Sequence, residues 1–460
     1  MAIGLSSCAL HPPPPHPDIV AKGVSSTAIP SGWTPASTTG QDVANDWLKT
    51  FNDPGLEAIV DEAIAHNTDL RKAAADVEIA RQSAGVVGAQ LLPHAGLEAG
   101  EHAIQDKDQD EAFFSSKVWM RVAWEVDIWG RLRSERAGAV AAYRATALDY
   151  AYARQSLAAT TARNWYLAIE TRQLVDLAER SVQIFTTLLD QASAKHAAGR
   201  VSGLDVAEAA AARDSSQAEL AREQGLYSEV RRTLEVLAGR FPSAELEVDR
   251  DYAQLPPPVA AGLPTSLLER RPDILAAESQ VVATFRALAA ARLALLPTIE
   301  LTGEGGRLND RILDVLTLNP YFVATGLGLF QPIFEGGALR KEIRIASARQ
   351  ERAIANYGTV ALTAFREVEV ALTNEQLLAE GLRDQTQALA NRVEAVRIAT
   401  LRYRAGAIPL QPVLQQQAAQ LATEAHVIEL RDAQLANRVT LHLALGGGFD
   451  AAPSAAPNPH

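Results

Sequence analysis

The sequence predicts a duplicated, mainly helical fold in which each copy joins a very long helix to a β-hairpin. Three observations predict it. The first is an internal echo: residues 69–93 read DLRKAAADVEIARQSAGVVGAQLLP and residues 273–297 read DILAAESQVVATFRALAAARLALLP, displaced by 204 positions. Ile128-Trp129 likewise answers Ile333-Phe334, and KHAAGRVSGLDV (195–206) answers RYRAGAIPLQPV (402–413). A period near 200 residues is too long for a solenoid repeat and predicts a pseudo-symmetric barrel or tube. The second is a pair of proline-free helical runs, one per copy. The third is a pair of period-two stretches in each copy.

The elements follow in order. Residues 1–40 read as a tether. Cys8 is the single cysteine, which excludes an intramolecular disulfide. Its context, Leu5-Ser6-Ser7-Cys8-Ala9, resembles a bacterial lipobox, whose cysteine becomes lipidated; only Met1 to Gly4 precede it, without the basic and apolar parts of a signal peptide. HPPPPHP (11–17) reads as an extended polar leash, with His11 and His16 as tether residues rather than a metal pair. The first repeat spans 41–254 and the second 255–449, followed by a disordered tail at 450–460.

Each repeat opens with a short helix, at 55–92 and 264–296. A hairpin comes next, at 94–129 and 298–334, then a long helix at 131–198 and 338–405. Apolar or alanine residues recur every three or four positions along these long runs, as in Ala137, Val140, Ala141, Ala145 and Leu148. At 1.5 Å per residue, roughly 66 residues make a rod of about 100 Å. Gly199 and Gly406 end the rods as left-handed caps, after Lys195 and His196 or Arg402 and Arg404 in the last turn. Return helices follow at 203–238, opened by the capping pair Ser202 and Asp205, and at 410–445.

In 118–129, Val118, Met120, Val122, Trp124, Val126 and Ile128 alternate with Trp119, Arg121, Ala123, Glu125, Asp127 and Trp129. In the second copy Tyr321, Val323, Thr325, Leu327 and Leu329 face away from Ala324, Gly326 and Gly328. The shorter strands are 94–102 and 298–305. One apolar and one polar face fits either a half-buried soluble sheet or a membrane barrel with a wet interior. Four strands cannot close a membrane barrel, and an open edge in lipid leaves backbone groups unsatisfied, so strands in a membrane require several chains to share one barrel.

Net charge is −12, which disfavours nucleic-acid binding. No stretch approaches 18 consecutive apolar residues, so no transmembrane helix is expected. Gly303-Glu304-Gly305-Gly306 lacks the Lys-Ser/Thr of a phosphate loop. Neither a cluster of metal ligands nor a nucleophile motif appears, so no catalytic, metal or cofactor site is expected.

WEVDIWGRLR (124–133), GLPTSLLERRPDILAAE (262–278), LFQPIFEGGALR (329–340), AFREVEVAL (364–372), RYRAG (402–406) and ALGGGF (444–449) together resemble the hallmark segments of the outer-membrane efflux protein family, the TolC-like and OprM-like factors of tripartite pumps. The resemblance covers about 40–449. It implies a homotrimer with a 12-stranded β-barrel in the outer membrane above a 12-helix periplasmic α-barrel. It also implies an exit duct for drugs or other small molecules, joined by a periplasmic adaptor to an inner-membrane transporter of the resistance-nodulation-division type. The Leu-Leu-Glu-Arg-Arg-Pro-Asp-Ile pattern and the lipobox point to the lipoprotein branch, anchored in outer-membrane lipid through Cys8. Type I secretion and metal-efflux ducts share the architecture, and a soluble periplasmic coiled-coil scaffold is the alternative from another class.

Within that resemblance Trp129-Gly130 and Phe334-Glu335-Gly336-Gly337 mark the strand-to-helix transitions, where glycine permits the bend and the aromatics suit a membrane-interface girdle. The turns at Gly199 and Gly406 are expected at the periplasmic mouth. Family members carry Leu, an acidic residue and Gln after the second turn, with Arg nearby. Here the stretch is Val413-Leu414-Gln415-Gln416-Gln417-Ala418, so Gln415 takes the acidic place and Ala418 the Arg place. The gate is therefore expected as an apolar ring of Leu414 flanked by Gln415 amides rather than a salt-bridged lock.

Overall fold

A computed structural model describes residues 12–25, 28–34, 45–105, 112–249, 251–309 and 321–448. Cys8 and the tail at 450–460 lie outside the described residues. The described residues form two compact units, one from those within 1–27, 75–149 and 273–360, the other from those within 28–74, 150–272 and 361–460. The two sequence repeats are thus not the compact units, because each unit draws on both copies. A lone hairpin or helix pair has an apolar face it cannot bury by itself, so each copy supplies the partner of the other.

In the first unit, β1 (His94–Gln105), β2 (Ala112–Glu125), β3 (Thr298–Asn309) and β4 (Tyr321–Phe330) form one antiparallel sheet in the order β1-β2-β3-β4. The β2–β3 pairing joins the copies, with Trp124 opposite Leu301 and Arg121 opposite Glu304. Strands β1, β2 and β3 extend further into the polar hairpin ends than their alternation predicts, because ladder bonding between backbones needs no apolar pattern. In contrast β2 stops at Glu125, short of the expected 129. There the Asp127 carboxylate leaves the strand to accept the N–H groups of Leu132 (3.1 Å) and Arg133 (2.9 Å), capping the next helix.

The N-terminal leash is shorter than expected: a helix, α1 (His16–Gly23), begins within it after Pro15. His16 pairs with Glu278 at 2.9 Å; a Cβ on Gly23 would lie 2.7 Å from the Tyr357 ring, and one on Gly358 would strike the Gly23 carbonyl. Glu278 lies on α7 (Pro272–Leu293), which is long and apolar enough to cross a membrane, contrary to the expectation that no helix would be. Its apolar residues are used in packing instead, since Ile274, Ala276, Val281 and Leu288 are buried.

The expected short helices 55–92 and 264–296 are each broken once. The first divides into α2 (Pro54–His66) and α3 (Thr68–Ala89) at Asn67; the second divides into α6 (Pro264–Arg270) and α7 at Arg271. Both break residues have extended backbone, with ψ of 127° and 124°. The long helices are α4 (Arg131–Ala197) and α8 (Ala338–Arg404), 67 residues each. Their return helices are α5 (Gly203–Leu237) and α9 (Gln411–Ala444).

The two breaks do the same work in the second unit. Asn67 Nδ2 donates to the carbonyl of Leu237, the last residue of α5, at 3.0 Å; Arg271 donates to the carbonyl of Ala444, the last residue of α9, at 3.0 Å. Each thereby satisfies a helix-end carbonyl that has no partner within its helix. Asn67 Oδ1 also caps α3 by accepting from Asp69 and Leu70, both at 3.0 Å. Nearby, a core of Trp47, Phe51, Leu56, Trp165, Tyr166 and Ile169 is buried, with the Trp165 indole donating to the Asp53 carboxylate at 3.1 Å.

Candidate functional site

Directly opposed residues share a face, so the register sorts the whole sheet. Leu97 lies opposite Met120, which lies opposite Gly305, then Val323; Trp124, Leu301 and Leu327 continue this apolar face. Glu98, Arg121, Glu300, Thr302 and Glu304 lie on the other. Arg121 pairs with Glu304 at 3.6 Å across β2 and β3. In one chain the apolar face is uncovered: Leu97 is 77% exposed and Leu327 73%. β1 and β4 end the sheet, each hydrogen-bonded along one edge.

The segments between strand and helix hold glycines with left-handed backbones. Gly130 has φ 83°, Gly336 59° and Gly337 85°, conformations open to glycine. Trp129 donates from its indole to the Pro297 carbonyl at 2.7 Å, and Trp124 donates to the Leu91 carbonyl at 3.0 Å. Phe334 is 86% exposed and Ile333 95%. Arg131, the first residue of α4, is held by Glu125 and Glu135, both at 2.8 Å. Each indole thus has an anchored polar end and an apolar body, the arrangement that suits a boundary between lipid and water.

At the other turns, Gly199 (φ 70°) and Gly406 (φ 72°) close matching caps. Gly199 donates to His196 and Arg200 to Lys195; Gly406 donates to Tyr403 and Ala407 to Arg402. Ser202 and Asp205 form the expected capping box. The hydrogen bond from Ser202 is the chief reason the Asp205 carboxyl sits below its usual range, and the backbone of Leu410 adds to it. Asp205 therefore serves both return helices, since Leu410 starts α9 without a side-chain cap of its own. The Lys195 ammonium lies 3.7 Å above the Tyr403 ring, a second tie between copies. Neither tie is legible from spacing, because its partners stand about 200 residues apart.

Leu414 packs into a buried cluster of its own chain with Leu188, Ala209, Tyr403, Leu410 and Leu421. It is buried, whereas Gln415 beside it is exposed. Within one chain, then, Leu414 fixes the turn and the Gln415 amide projects from it. The physical reason is helix phase: α9 rests on its neighbours through Leu410, Val413, Leu414 and Leu421, and offsets of three, four and eleven from Leu410 fall on one stripe. Among the described residues no group of three or more His, Cys, Asp or Glu could hold a metal ion.

The profile of the outer membrane efflux protein family matches residues 59–240 and 263–447 of this chain, one match in each repeat. The chain is similar to the pyoverdine export outer membrane protein OpmQ of Pseudomonas putida, at 30% identity over 98% of this chain and 97% of that protein. It is also similar to the outer membrane protein OprJ of Pseudomonas aeruginosa, at 30% identity over 98% and 95% of the two chains. Among solved structures, a membrane protein from Pseudomonas aeruginosa superposes with a TM-score of 0.82 at 26% identity, covering 93% of this chain and 99% of that one. The outer membrane channel CmeC of Campylobacter jejuni, at 21% identity, has the same fold, with a TM-score of 0.86 over 92% of each chain. With the family's segments present in both copies and its fold reproduced end to end, the chain belongs to the outer membrane efflux protein family.

Proposed function

We propose that three copies of this chain assemble into one 12-stranded barrel and one 12-helix tunnel. The trimer would be the exit duct of a tripartite pump, docked to a periplasmic adaptor and an inner-membrane transporter of the resistance-nodulation-division type. The observation that carries this reading is the four-stranded sheet, with one apolar face, one charged face and two unpaired edges. Closure with neighbouring chains satisfies both edges and turns the uncovered apolar face to lipid. The duct is a passive conduit without a catalytic step of its own. Its cargo is small organic molecules, the class to which the pyoverdine of OpmQ and the toluene of the similar pump protein TtgC belong. Light scattering in detergent, with the micelle subtracted, should give the mass of a trimer; a monodisperse monomer overturns the reading.

We further infer that Cys8 is diacylated and anchors the duct in the outer membrane. Radiolabelled palmitate should enter the precursor's product and vanish with Cys8→Ser, while part of the variant still inserts through its barrel. Absence of label in the wild type removes the anchor from the proposal.

The turn beyond Gly406 is proposed as the constriction, held closed through Leu414, with the Gln415 amides only flanking it. Leu414→Gly should release the turn and raise single-channel conductance in planar bilayers, while Gln415→Ala changes it little. An intact Leu414→Gly trimer with wild-type conductance leaves Leu414 as a packing residue only.

A further inference from the structure

The two copies treat the start of their long helices differently. In the first, the basic residues are neutralised: Arg131 is held by Glu125 and Glu135, both at 2.8 Å, and Arg133 by Asp127 at 3.1 Å. In the second, the end of the strand reads Phe330-Gln331-Pro332-Ile333-Phe334 and supplies no acid. Arg340, Lys341 and Arg344 follow in the first two turns of α8, all exposed. Among the described residues none of the three has an ion-pair partner; Glu335 and Glu342, the nearest acids in sequence, do not pair with them. At 3.6 residues per turn the three basic side chains share an arc of about 100°, and Glu342 stands about 150° round the helix from its middle. Helix stability is not their purpose, because cations stabilise the last turn of a helix and not the first.

The chain just before these cations is apolar and uncovered: Phe330, Ile333 and Phe334 are all exposed. β4 has 10 residues, the length of a tilted strand that crosses a hydrocarbon core. The chain therefore leaves its apolar strand at Phe330, passes an exposed Ile-Phe pair and reaches three bare cations. This is the order of layers from hydrocarbon through the aromatic belt to the headgroups. The depths agree as well. A headgroup layer is about 5–7 Å deep on each side of a bilayer, and Arg340 to Arg344 covers about 6 Å of helix.

We propose that Arg340, Lys341 and Arg344 bind the phosphate groups of anionic phospholipids in the periplasmic leaflet of the membrane. Charge selects the lipid class. A headgroup of net negative charge complements an unpaired cationic face, and guanidinium groups take phosphate oxygens two at a time. A zwitterionic headgroup brings a cation of its own, which opposes the contact. A neighbouring copy is the poorer partner, because closing the barrel sets the start of its β1 beside the end of β4. Residues 82–97, which lead into β1, contain no Asp or Glu. This binding rests on the placement of the sheet in lipid proposed above and adds the lipid class to it.

The test incubates the full chain, purified in detergent, with mixed micelles holding equal amounts of phosphatidylglycerol and phosphatidylcholine. Loose lipid is removed on a column and the retained lipid is measured by mass spectrometry. The wild type should retain phosphatidylglycerol over phosphatidylcholine by roughly tenfold or more, and Arg340→Gln/Lys341→Gln/Arg344→Gln should bring the ratio to about one with the helical signal intact. Arg366→Gln/Arg402→Gln/Arg404→Gln removes the same charge from exposed positions further along α8 and should leave the ratio unchanged. Added salt should lower the wild-type ratio, since it screens exposed charges. A wild-type ratio near unity, or a preference that survives the first triple substitution, overturns the lipid site and leaves the duct standing. Dissociation of the first variant into monomers in phosphatidylcholine alone also overturns it, because the cations then pair with the neighbouring copy. A chain that stays soluble without detergent and retains no lipid overturns the membrane placement and the lipid site together.

Discussion

Arg271 is among the most buried large side chains of the described residues, at 1% exposure, and it ties three elements together. It pairs with Glu367 at 2.7 Å, donates to the Ala444 carbonyl at 3.0 Å and reaches the Tyr152 hydroxyl at 3.3 Å. Removing a partner from a buried charge leaves the charge uncompensated, at about 3–5 kcal/mol, whereas an apolar replacement of similar volume costs much less. Glu367→Ala should therefore lower the denaturation midpoint of the helical signal more than Arg271→Met does. Equal losses would mean that the ion pair is not what holds the site. Arg438, also 1% exposed, has the same character, donating to Glu375 and to the carbonyls of Pro256 and Pro257. In the sequence Arg271 was legible only as part of a hallmark segment before Pro272, because a one-letter string does not say which arginines are buried.

At the scale of elements, both copies solve one problem in one way: the end of a return helix is received by the break between two shorter helices. The glycines that close those ends have left-handed backbones, Gly239 at φ 74° and Gly446 at φ 70°. A Cβ on Gly239 would also lie 2.7 Å from the His66 carbonyl, while one on Gly199 meets nothing within 4 Å. The left-handed conformation alone costs an ordinary residue about 1–2 kcal/mol. Gly199→Ala should lose about that much stability, and Gly239→Ala clearly more, because the backbone of His66 cannot step aside. Thermal melts of the two variants make the comparison; similar losses would show that α2 and α5 are not docked there. Asn67→Ala should lose about 1–2 kcal/mol as well, since it uncaps α3 and strips the Leu237 carbonyl of its donor.

At the scale of the whole molecule, an outer-membrane efflux channel must place a sheet in lipid while exposing no unpaired edge. One chain carries the wet and the greasy face but not the closure. The trimer prediction belongs here, and so does its converse. Charging the apolar face, as in Leu327→Lys, should cost about 2–4 kcal/mol if that position faces the middle of the bilayer. It should reduce assembly into heat-resistant trimers, whereas Thr302→Lys on the opposite face should not. Equal tolerance of the two changes would place lipid on neither face.

The sequence by itself determined the duplication, the long helices to within a residue at each end, the capping glycines and the alternating strands. All of these are encoded by local chemistry: period, breakers and caps act within a few residues of one another. Only the tertiary structure decided what depends on partners far apart in the chain. The bends at Asn67 and Arg271 lie inside runs that look continuously helical, and they exist because a distant helix end is received there. Leu414 is buried in its own chain because the phase of α9 is set by what it packs against, which local spacing does not record. Burial and charge proximity are properties of the packed unit, so a tie such as Lys195 over Tyr403 appears only when the two copies are brought side by side.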